Sequence, residues 1–401
     1  MRIPTLCSIT VLAAGFHSAP AIAQPVPADA HTDAPEDYIR LVTRENNRKV
    51  LQTAVRVFRS VDGEAPPIWL VGAIHIGDAD YYSRLETTLR SLDAVLYEGV
   101  RSAEELSNDP DAVRALQTQG LMRLLEMHLW TFQKSAARLP ASFQEMVDAE
   151  QIFPAPARRV MQKSLVDFWG TPLRFELNDQ SIVLTSLGAD KEPGGEGPAE
   201  DLVVNYTQSA FRKRVPPYLR MANAMDIEFQ SACMWMLHPG WQNSDISSDQ
   251  FFAQIDEAAP EDTIQNSMLE SVLRQDNPLV NMALAMVESF SERNPLLQWR
   301  LKDLIVSTLA TADTADAMSE EIDRIIIEER NKIVLADLRQ RLAGDPGIRS
   351  VGILYGAGHM VDLEQRIRDK LGYEPALGFW INAIDSNPAD YMTAPPEPRP
   401  E

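Results

Sequence analysis

Two copies of a Gly-x-x-His motif are the residues of this chain whose types and spacing could do chemistry. The first copy occupies residues 72–75 and ends the apolar run that begins at Ile68; the second occupies residues 356–359 and ends the run that begins at Val351. Another apolar run, residues 94–97, is followed directly by Glu98. Because the carboxyl ends of parallel strands share one edge of a sheet, His75, Glu98 and His359 are predicted to converge there.

Two imidazoles and one carboxylate are a common donor set for a divalent transition metal, which His75, Glu98 and His359 are predicted to hold. Imidazole suits Zn, Fe, Ni or Co, and a carboxylate extends the range to Mn. Such a metal lowers the pKa of bound water and supplies hydroxide at neutral pH. The same three residues could also act without metal, with a histidine as general base that Glu98 orients. The sequence leaves both mechanisms open.

Arg330 is a candidate fourth member of the site. It lies in a predicted helix over residues 318–343, and it follows Ile326 by four positions, which puts it on the inward face. An inward arginine usually meets a carboxylate or an anionic ligand. The alternative is an arginine that reaches from the rim of the protein to solvent.

Two other histidines and Cys233 have simpler interpretations. His128 lies among apolar residues of a predicted helix, which favours a packing role, and His238 precedes Pro239 at a predicted helix end, which favours capping. Cys233 lies in an apolar helical stretch, which is typical of a buried structural thiol.

The elements that must position these residues repeat one pattern. In the first unit, a strand over residues 68–71 precedes an amphipathic helix and a strand over residues 94–97. In the second, a strand over 351–355 precedes a helix that Gly372 ends, and a returning strand is predicted over 376–380. The pattern predicts an α/β fold with a mixed sheet built from two βαβ-like halves, each carrying one Gly-x-x-His motif.

A large, mostly helical insertion is predicted between the halves, over about residues 105–315, where it could cap the site. A hairpin is expected at residues 173–187, with Asn178 and Asp179 near its turn. The predicted helices, including the one that carries Arg330, span residues 110–137, 143–166, 214–237, 247–257, 262–291, 295–311 and 318–343.

The N-terminal sequence predicts that the protein is exported. Residues 1–23 have the pattern of a secretory signal peptide with cleavage after Ala23, so a periplasmic or secreted protein is expected, without a membrane span after cleavage. Residues 24–38 are predicted to be a disordered leader, 39–386 a single domain, and 387–401 a flexible proline-rich tail. The formal net charge of −21 argues against nucleic acid as a partner.

Residues 70–100, 329–331 and 351–372 resemble the TraB/PrgY/GumN family, which is related to the Tiki proteases and more distantly to the erythromycin-esterase and ChaN-like proteins. Paired Gly-x-x-His motifs, a glutamate after the second strand and an Arg-Asn pair before the last unit carry the resemblance. It implies a mixed α/β core with a shared His/Glu/His site.

Together with the predicted signal peptide, the resemblance implies an exported, divalent-metal-dependent hydrolase of the peptidase type that acts on a peptide or small molecule. It implies Mn or Co as the preferred metal, with Zn as the other candidate. By motif position, His75, Glu98 and His359 would be metal ligands or catalytic groups, and Arg330 would bind substrate or orient Glu98. Asn331 and, within residues 241–252, Asp245 are further candidates. The alternatives are a non-catalytic peptide- or haem-binding protein and a metal-free, esterase-like hydrolase. The substrate and the oligomeric state stay open.

Overall fold

A computed structural model describes residue 35 and residues 37–101, 109–212, 217–258, 294–311 and 324–392. The predicted signal peptide, the helix predicted at 262–291, most of the leader and most of the tail lie outside these residues. Tyr38, at the end of the predicted leader, is buried and donates a hydrogen bond to Glu364. Across the described ranges, no helix has the length and apolar character needed to cross a membrane.

The strands form one large mixed sheet and two smaller antiparallel sheets. In chain order they are β1 (Ile39–Thr43), β2 (Lys49–Ser60), β3 (Ile68–Ala73), β4 (Ile76–Gly77), β5 (Ala94–Tyr97), β6 (Arg174–Leu177), β7 (Ile182–Ser186), β8 (Leu202–Tyr206), β9 (Glu228–Phe229), β10 (Trp241–Asn243), β11 (Val351–Gly356) and β12 (Tyr373–Ser386).

Within the described ranges, the α-helices are Ala79–Arg90, Pro110–Ala136, Phe143–Val147, Ala155–Lys163, Gln208–Arg212, Pro217–Ala224, Gln230–Cys233, Ser248–Ala258, Pro295–Thr311, Arg330–Gly344, Met360–Leu371 and Ala389–Met392. A π-helical segment, Arg324–Glu329, leads directly into the helix that begins at Arg330. Short 3-10 turns lie at Glu45–Asn47, Gly197–Ala199 and Ala357–His359.

The central strands of the large sheet are parallel and follow the order β3-β11-β5-β10. On the other side of β3, β2 runs antiparallel, and β1 and β12 run antiparallel to β2. The predicted mixed α/β fold is therefore confirmed. The strand that carries the second motif lies between the two strands of the first unit, so the two units interlock.

The returning strand predicted over residues 376–380 is part of β12. It runs in the same direction as β11, but β3 and β2 separate it from β11. Both units are thus strand–helix–strand crossovers, and in neither unit are the two strands adjacent in the sheet.

Both faces of the sheet are covered, which explains why its central strands are continuous apolar runs. On one face, the helix Ala79–Arg90 packs through Leu85 and Leu89 in the core that contains Val71. On the other face, the helix Met360–Leu371 packs through Leu363 in the core that contains Leu70. Adjacent residues of β3 thus face opposite cores, as the alternation of a strand requires.

Within the described residues, the predicted insertion contains many helices, but it also contributes strands. The expected hairpin is confirmed as β6 and β7, but β8 adds a third strand, and β10 joins the large sheet beside β5.

Two predicted helices of the insertion are wrong in extent. The helix predicted over 143–166 is interrupted before Ala155, where Pro154 and Pro156 lack the N–H groups a continuing helix needs. The helix predicted over 214–237 stops before Asp226, which has φ of 54°. β9 follows, and it pairs with β4.

Candidate active site

The parallel register brings the predicted site residues to one edge of the sheet. Gly356 of β11 pairs with Ala73 of β3, and Leu354 pairs with Tyr97 of β5. The amide of Glu98, the residue after β5, donates to the carbonyl of Leu354 at 2.9 Å. The ends of the three strands that precede His75, Glu98 and His359 are therefore aligned.

Glu98 is an ionised carboxylate with a partner for each oxygen. Its Oε1 accepts from Arg330 Nη2 at 2.7 Å, and its Oε2 accepts from the amide of Gly356 at 2.5 Å. Burial raises the pKa of Glu98, but the positive charge of Arg330, the nearby imidazoles and the Gly356 amide outweigh burial and bring the pKa to about 2. A Cβ at position 356 would lie 3.3 Å from Oε2, so glycine permits this close approach.

Arg330 lies at the centre of the network, and its guanidinium joins two carboxylates. Nε and Nη2 donate to the two oxygens of Asp245 at 2.9 and 2.7 Å, and Nη2 also donates to Glu98. Burial lowers the pKa of Arg330, but its bonds and ion pairs with Asp245 and Glu98 raise it overall. Of the two interpretations from sequence, the structure supports the inward arginine that meets a carboxylate.

Asp245 makes more contacts within the site than its weak sequence signal indicated. It lies two residues after β10, and its side chain is fully buried. Besides Arg330, its oxygens accept from the amides of Gly99 at 2.9 Å and Ile246 at 2.7 Å. Four N–H groups therefore point at one carboxylate, which is the arrangement expected of a fixed anion.

His359 is buried and held by Asn331. The ring Nδ1 lies 2.9 Å from Asn331 Oδ1, while Asn331 Nδ2 donates to the carbonyl of His359 at 3.0 Å and to Asp362 at 2.8 Å. Because the two protons of the amide nitrogen are used in this way, Asn331 Oδ1 faces the ring and Nδ1 must be the donor. Burial lowers the pKa of His359 to about 4, so the ring is neutral at neutral pH and its lone pair is on Nε2.

The lone pair of His359 faces the charged pair. Its Nε2 lies 3.4 Å from Arg330 Nη1 and 3.7 Å from Glu98 Oε1. Glu98, Arg330, Asp245, Asn331 and His359 thus form one connected network, which we call the Arg330 network.

His75 lies at the solvent-exposed side of this network. It follows the end of β3, its side chain is exposed, and its Nδ1 lies 3.1 Å from Gln230 Oε1. Its charge when protonated contributes to lowering the pKa values of both Glu98 and His359, which indicates that its ring is near theirs. The predicted histidines therefore have different environments, since one is buried in the network and the other is open to solvent.

Sequence reasoning missed two residues of the site, Tyr355 and Gln230. Tyr355 is buried, donates its hydroxyl proton to the carbonyl of Ser244, and packs edge-on against His359 with ring centroids 5.1 Å apart. Burial raises its pKa, so the hydroxyl stays protonated. Neither residue has a sequence signal of its own, because Tyr355 reads as an apolar strand residue and Gln230 lies inside a predicted helix.

Among the described residues, His128, His238 and Cys233 lie outside the network. His128 is buried, as expected of a packing residue, with Nδ1 2.9 Å from the carbonyl of Leu124. Cys233 is a buried thiol, as predicted. His238 Nε2 instead lies 2.8 Å from Glu86 Oε1, so a side-chain hydrogen bond replaces the expected helix cap.

The donors do not fit a metal site in this arrangement. Both oxygens of Glu98 are engaged by N–H donors, and the lone pair of His359 faces the guanidinium of Arg330. Among the residues that the structure describes, no group of three or more His, Cys, Asp or Glu side chains is arranged to hold a metal ion. The predicted divalent metal stays a prediction, and the mechanism below uses protein groups alone.

Comparisons with family models, curated proteins and solved structures find no match to this chain. The resemblance to the TraB/PrgY/GumN family stays a prediction that depends on the motifs named above.

Proposed function

We propose that this protein is a hydrolase of ester or peptide bonds that acts through His75 and the Arg330 network without a metal. The observation that carries the proposal is the position of the Arg330 guanidinium. Glu98 and Asp245 hold the guanidinium, and its Nη1 faces His359 Nε2. The exposed imidazole of His75 is near enough for its charge to act on Glu98 and His359, which contact this guanidinium. A solvent-exposed imidazole at such a site is suited to activate water for attack on a carbonyl group, with the fixed cation stabilising the charge that develops.

In this mechanism His75 is the general base. Gln230 Oε1 is an acceptor, so with the ring neutral Nδ1 carries the proton and Nε2 carries the lone pair. Because the side chain is exposed, a water molecule can reach Nε2. Nε2 takes a proton from that water as its oxygen attacks the substrate carbonyl, and later returns the proton to the leaving group.

Arg330 stabilises the oxyanion that forms during the attack. Asp245 and Glu98 use the N–H groups of Nε and Nη2, and Nη1 makes a long contact of 3.4 Å with His359. That contact is weak enough for Nη1 to exchange it for a developing negative charge, which would bind more strongly. Since the carboxylates hold the guanidinium in place, little reorganisation is needed when the charge appears.

The test is hydrolysis of a p-nitrophenyl ester and a quenched-fluorescence peptide by the purified protein. We expect His75→Gln to reduce kcat/KM by about 10²- to 10⁴-fold. Arg330→Lys, which keeps the charge but loses the fork of donors, should reduce it by about 10²- to 10³-fold. His238→Gln is the matched control, because His238 lies outside the network. The proposal fails if the wild type cleaves neither substrate class or if His75→Gln keeps full activity.

A metal-dependent hydrolase is the second candidate, and the charge of the network favours it. Two carboxylates and one guanidinium carry a net charge of −1 when both imidazoles are neutral, so the site would attract a cation. A metal could bind if Arg330 moved away from Glu98 and His359. Activity that disappears on dialysis against EDTA and returns with Mn²⁺, Co²⁺ or Zn²⁺ would support this candidate over the first.

A further inference from the structure

A small antiparallel ribbon adjoins His75 in the chain. It consists of β4, which begins one residue after His75, and β9, which ends one residue before Gln230. The amide of Gln230 donates to the carbonyl of His75 at 2.9 Å, so the ribbon continues to the backbone of the histidine. Beyond the ribbon, the amide of Asp78 donates to the carbonyl of Ala383 at 2.8 Å, which ties it to β12 of the large sheet.

The side chain of Gln230 completes this support. Its Oε1 lies 3.1 Å from His75 Nδ1, and its Nε2 lies 4.0 Å from the sulfur of Met236. A thioether sulfur can accept a proton weakly but cannot donate one, so this neighbour favours the orientation in which the amide oxygen faces the ring. With that orientation Nδ1 is the donor, and the lone pair of the neutral ring is on Nε2.

A side-chain amide oxygen also faces Nδ1 of the buried histidine, since Asn331 Oδ1 accepts from His359 Nδ1 at 2.9 Å. Both histidines of the paired motif are therefore oriented by a side-chain amide and present Nε2. An amide oxygen selects the tautomer without adding a negative charge, whereas a carboxylate would also favour the protonated ring. A neutral ring with a free Nε2 is the form that a general base needs.

We infer that Gln230 is a positioning residue that fixes His75 in the Nδ1–H tautomer and directs Nε2 towards solvent. The inference deepens the proposed function and depends on it for the catalytic meaning of the tautomer. The tautomer itself is a property of the resting protein, and it can be measured whether or not a substrate is known.

The decisive measurement is a long-range ¹H–¹⁵N correlation spectrum of protein labelled with ¹⁵N-histidine, with the His75 signals assigned by their loss in His75→Gln. We expect the protonated nitrogen of His75 to be Nδ1 in the wild type, and we expect a mixture of tautomers in Gln230→Leu. Gln242→Leu, which changes an exposed glutamine of β10, is the control and should leave the His75 signals unchanged. Protonation at Nε2 in the wild type, or an unchanged tautomer in Gln230→Leu, would overturn the inference.

Gln230→Glu provides a second test that preserves the shape of the side chain. The new carboxylate oxygen would still accept from Nδ1, so Gln230→Glu should keep the Nδ1–H tautomer of the neutral ring in the correlation spectrum, whereas Gln230→Leu should not. Gln230→Leu should reduce kcat/KM by about 10- to 100-fold, because the ring of His75 would no longer be held in one tautomer and one orientation. If the tautomer is as expected but the wild type hydrolyses neither probe, the proposed function falls and the role of Gln230 in orienting His75 stands.

Discussion

The substitution Asp245→Asn should destabilise this protein more than Glu98→Gln, the other isosteric change of a carboxylate in the Arg330 network. Each oxygen of Asp245 accepts two N–H groups: Oδ1 from Arg330 Nε and Ile246, and Oδ2 from Arg330 Nη2 and Gly99. An asparagine amide has one NH₂ group in place of an oxygen. Whichever way it turns, that NH₂ group faces two donors in a fully buried position.

The magnitude follows from the loss of charge and from these unpaired donors. Removing one partner of a buried ion pair costs about 3–5 kcal/mol in the free energy of unfolding. Glu98→Gln should cost less, about 1–3 kcal/mol, because the glutamine oxygen can still accept from either Arg330 or Gly356. Asp245 would also still hold Arg330. The expected order of stability is therefore wild type, then Glu98→Gln, then Asp245→Asn.

The assay is urea unfolding at pH 7, followed by far-ultraviolet circular dichroism, with m-values compared between variants. Asp369→Asn is the control, because Asp369 is exposed near the end of the helix Met360–Leu371, and its substitution should change stability by about 0.5 kcal/mol or less. An Asp245→Asn protein that unfolds within about 1 kcal/mol of the wild type would refute the reasoning that Asp245 anchors the network.

Three further predictions concern the same site. Burial lowers the pKa of His359 from 6.5 to about 4, so the unfolded chain binds a proton at this residue before the folded protein does as the pH falls. The free energy of unfolding of the wild type should therefore fall by up to about 3 kcal/mol between pH 6.5 and 4. His359→Gln should lack that loss, and parallel stability curves for the two proteins would contradict the prediction. Gly356→Ala should lower the free energy of unfolding by about 1–3 kcal/mol, because the new Cβ would lie 3.3 Å from Glu98 Oε2. Gly344→Ala is the control, since a Cβ there meets nothing within 4 Å, and equal midpoints of thermal unfolding for the two variants would contradict the prediction. Dialysis against EDTA should leave ester and peptide hydrolysis unchanged if the Arg330 network acts alone, and a complete loss of activity would favour the metal-dependent candidate.

The sequence alone determined the class of fold and the place of the site. Apolar runs ending at Ala73, Tyr97 and Gly356 predicted strands covered on both faces, and the parallel register explains why the residues that follow them meet. This inference succeeds because a strand's burial and the position of its end are local properties, written in consecutive residues. The inward direction of Arg330 was likewise predicted, although the preceding segment is π-helical and its buried residue is Ile325 in place of the expected Ile326.

The tertiary structure alone decided how the site residues are paired. Strand order cannot be read from local pattern, so the sequence did not reveal that β11 separates β3 from β5 and brings His359 beside Glu98. The anchor Asp245 and the orienting Gln230 come from segments far along the chain, and their contacts depend on β10 and β9 joining strands of the core. Two histidines and a glutamate suggest a metal site because the sequence shows which donor atoms are present but not how they are oriented. The direction of each lone pair, and the guanidinium that lies between Glu98 and His359, are set by packing in three dimensions.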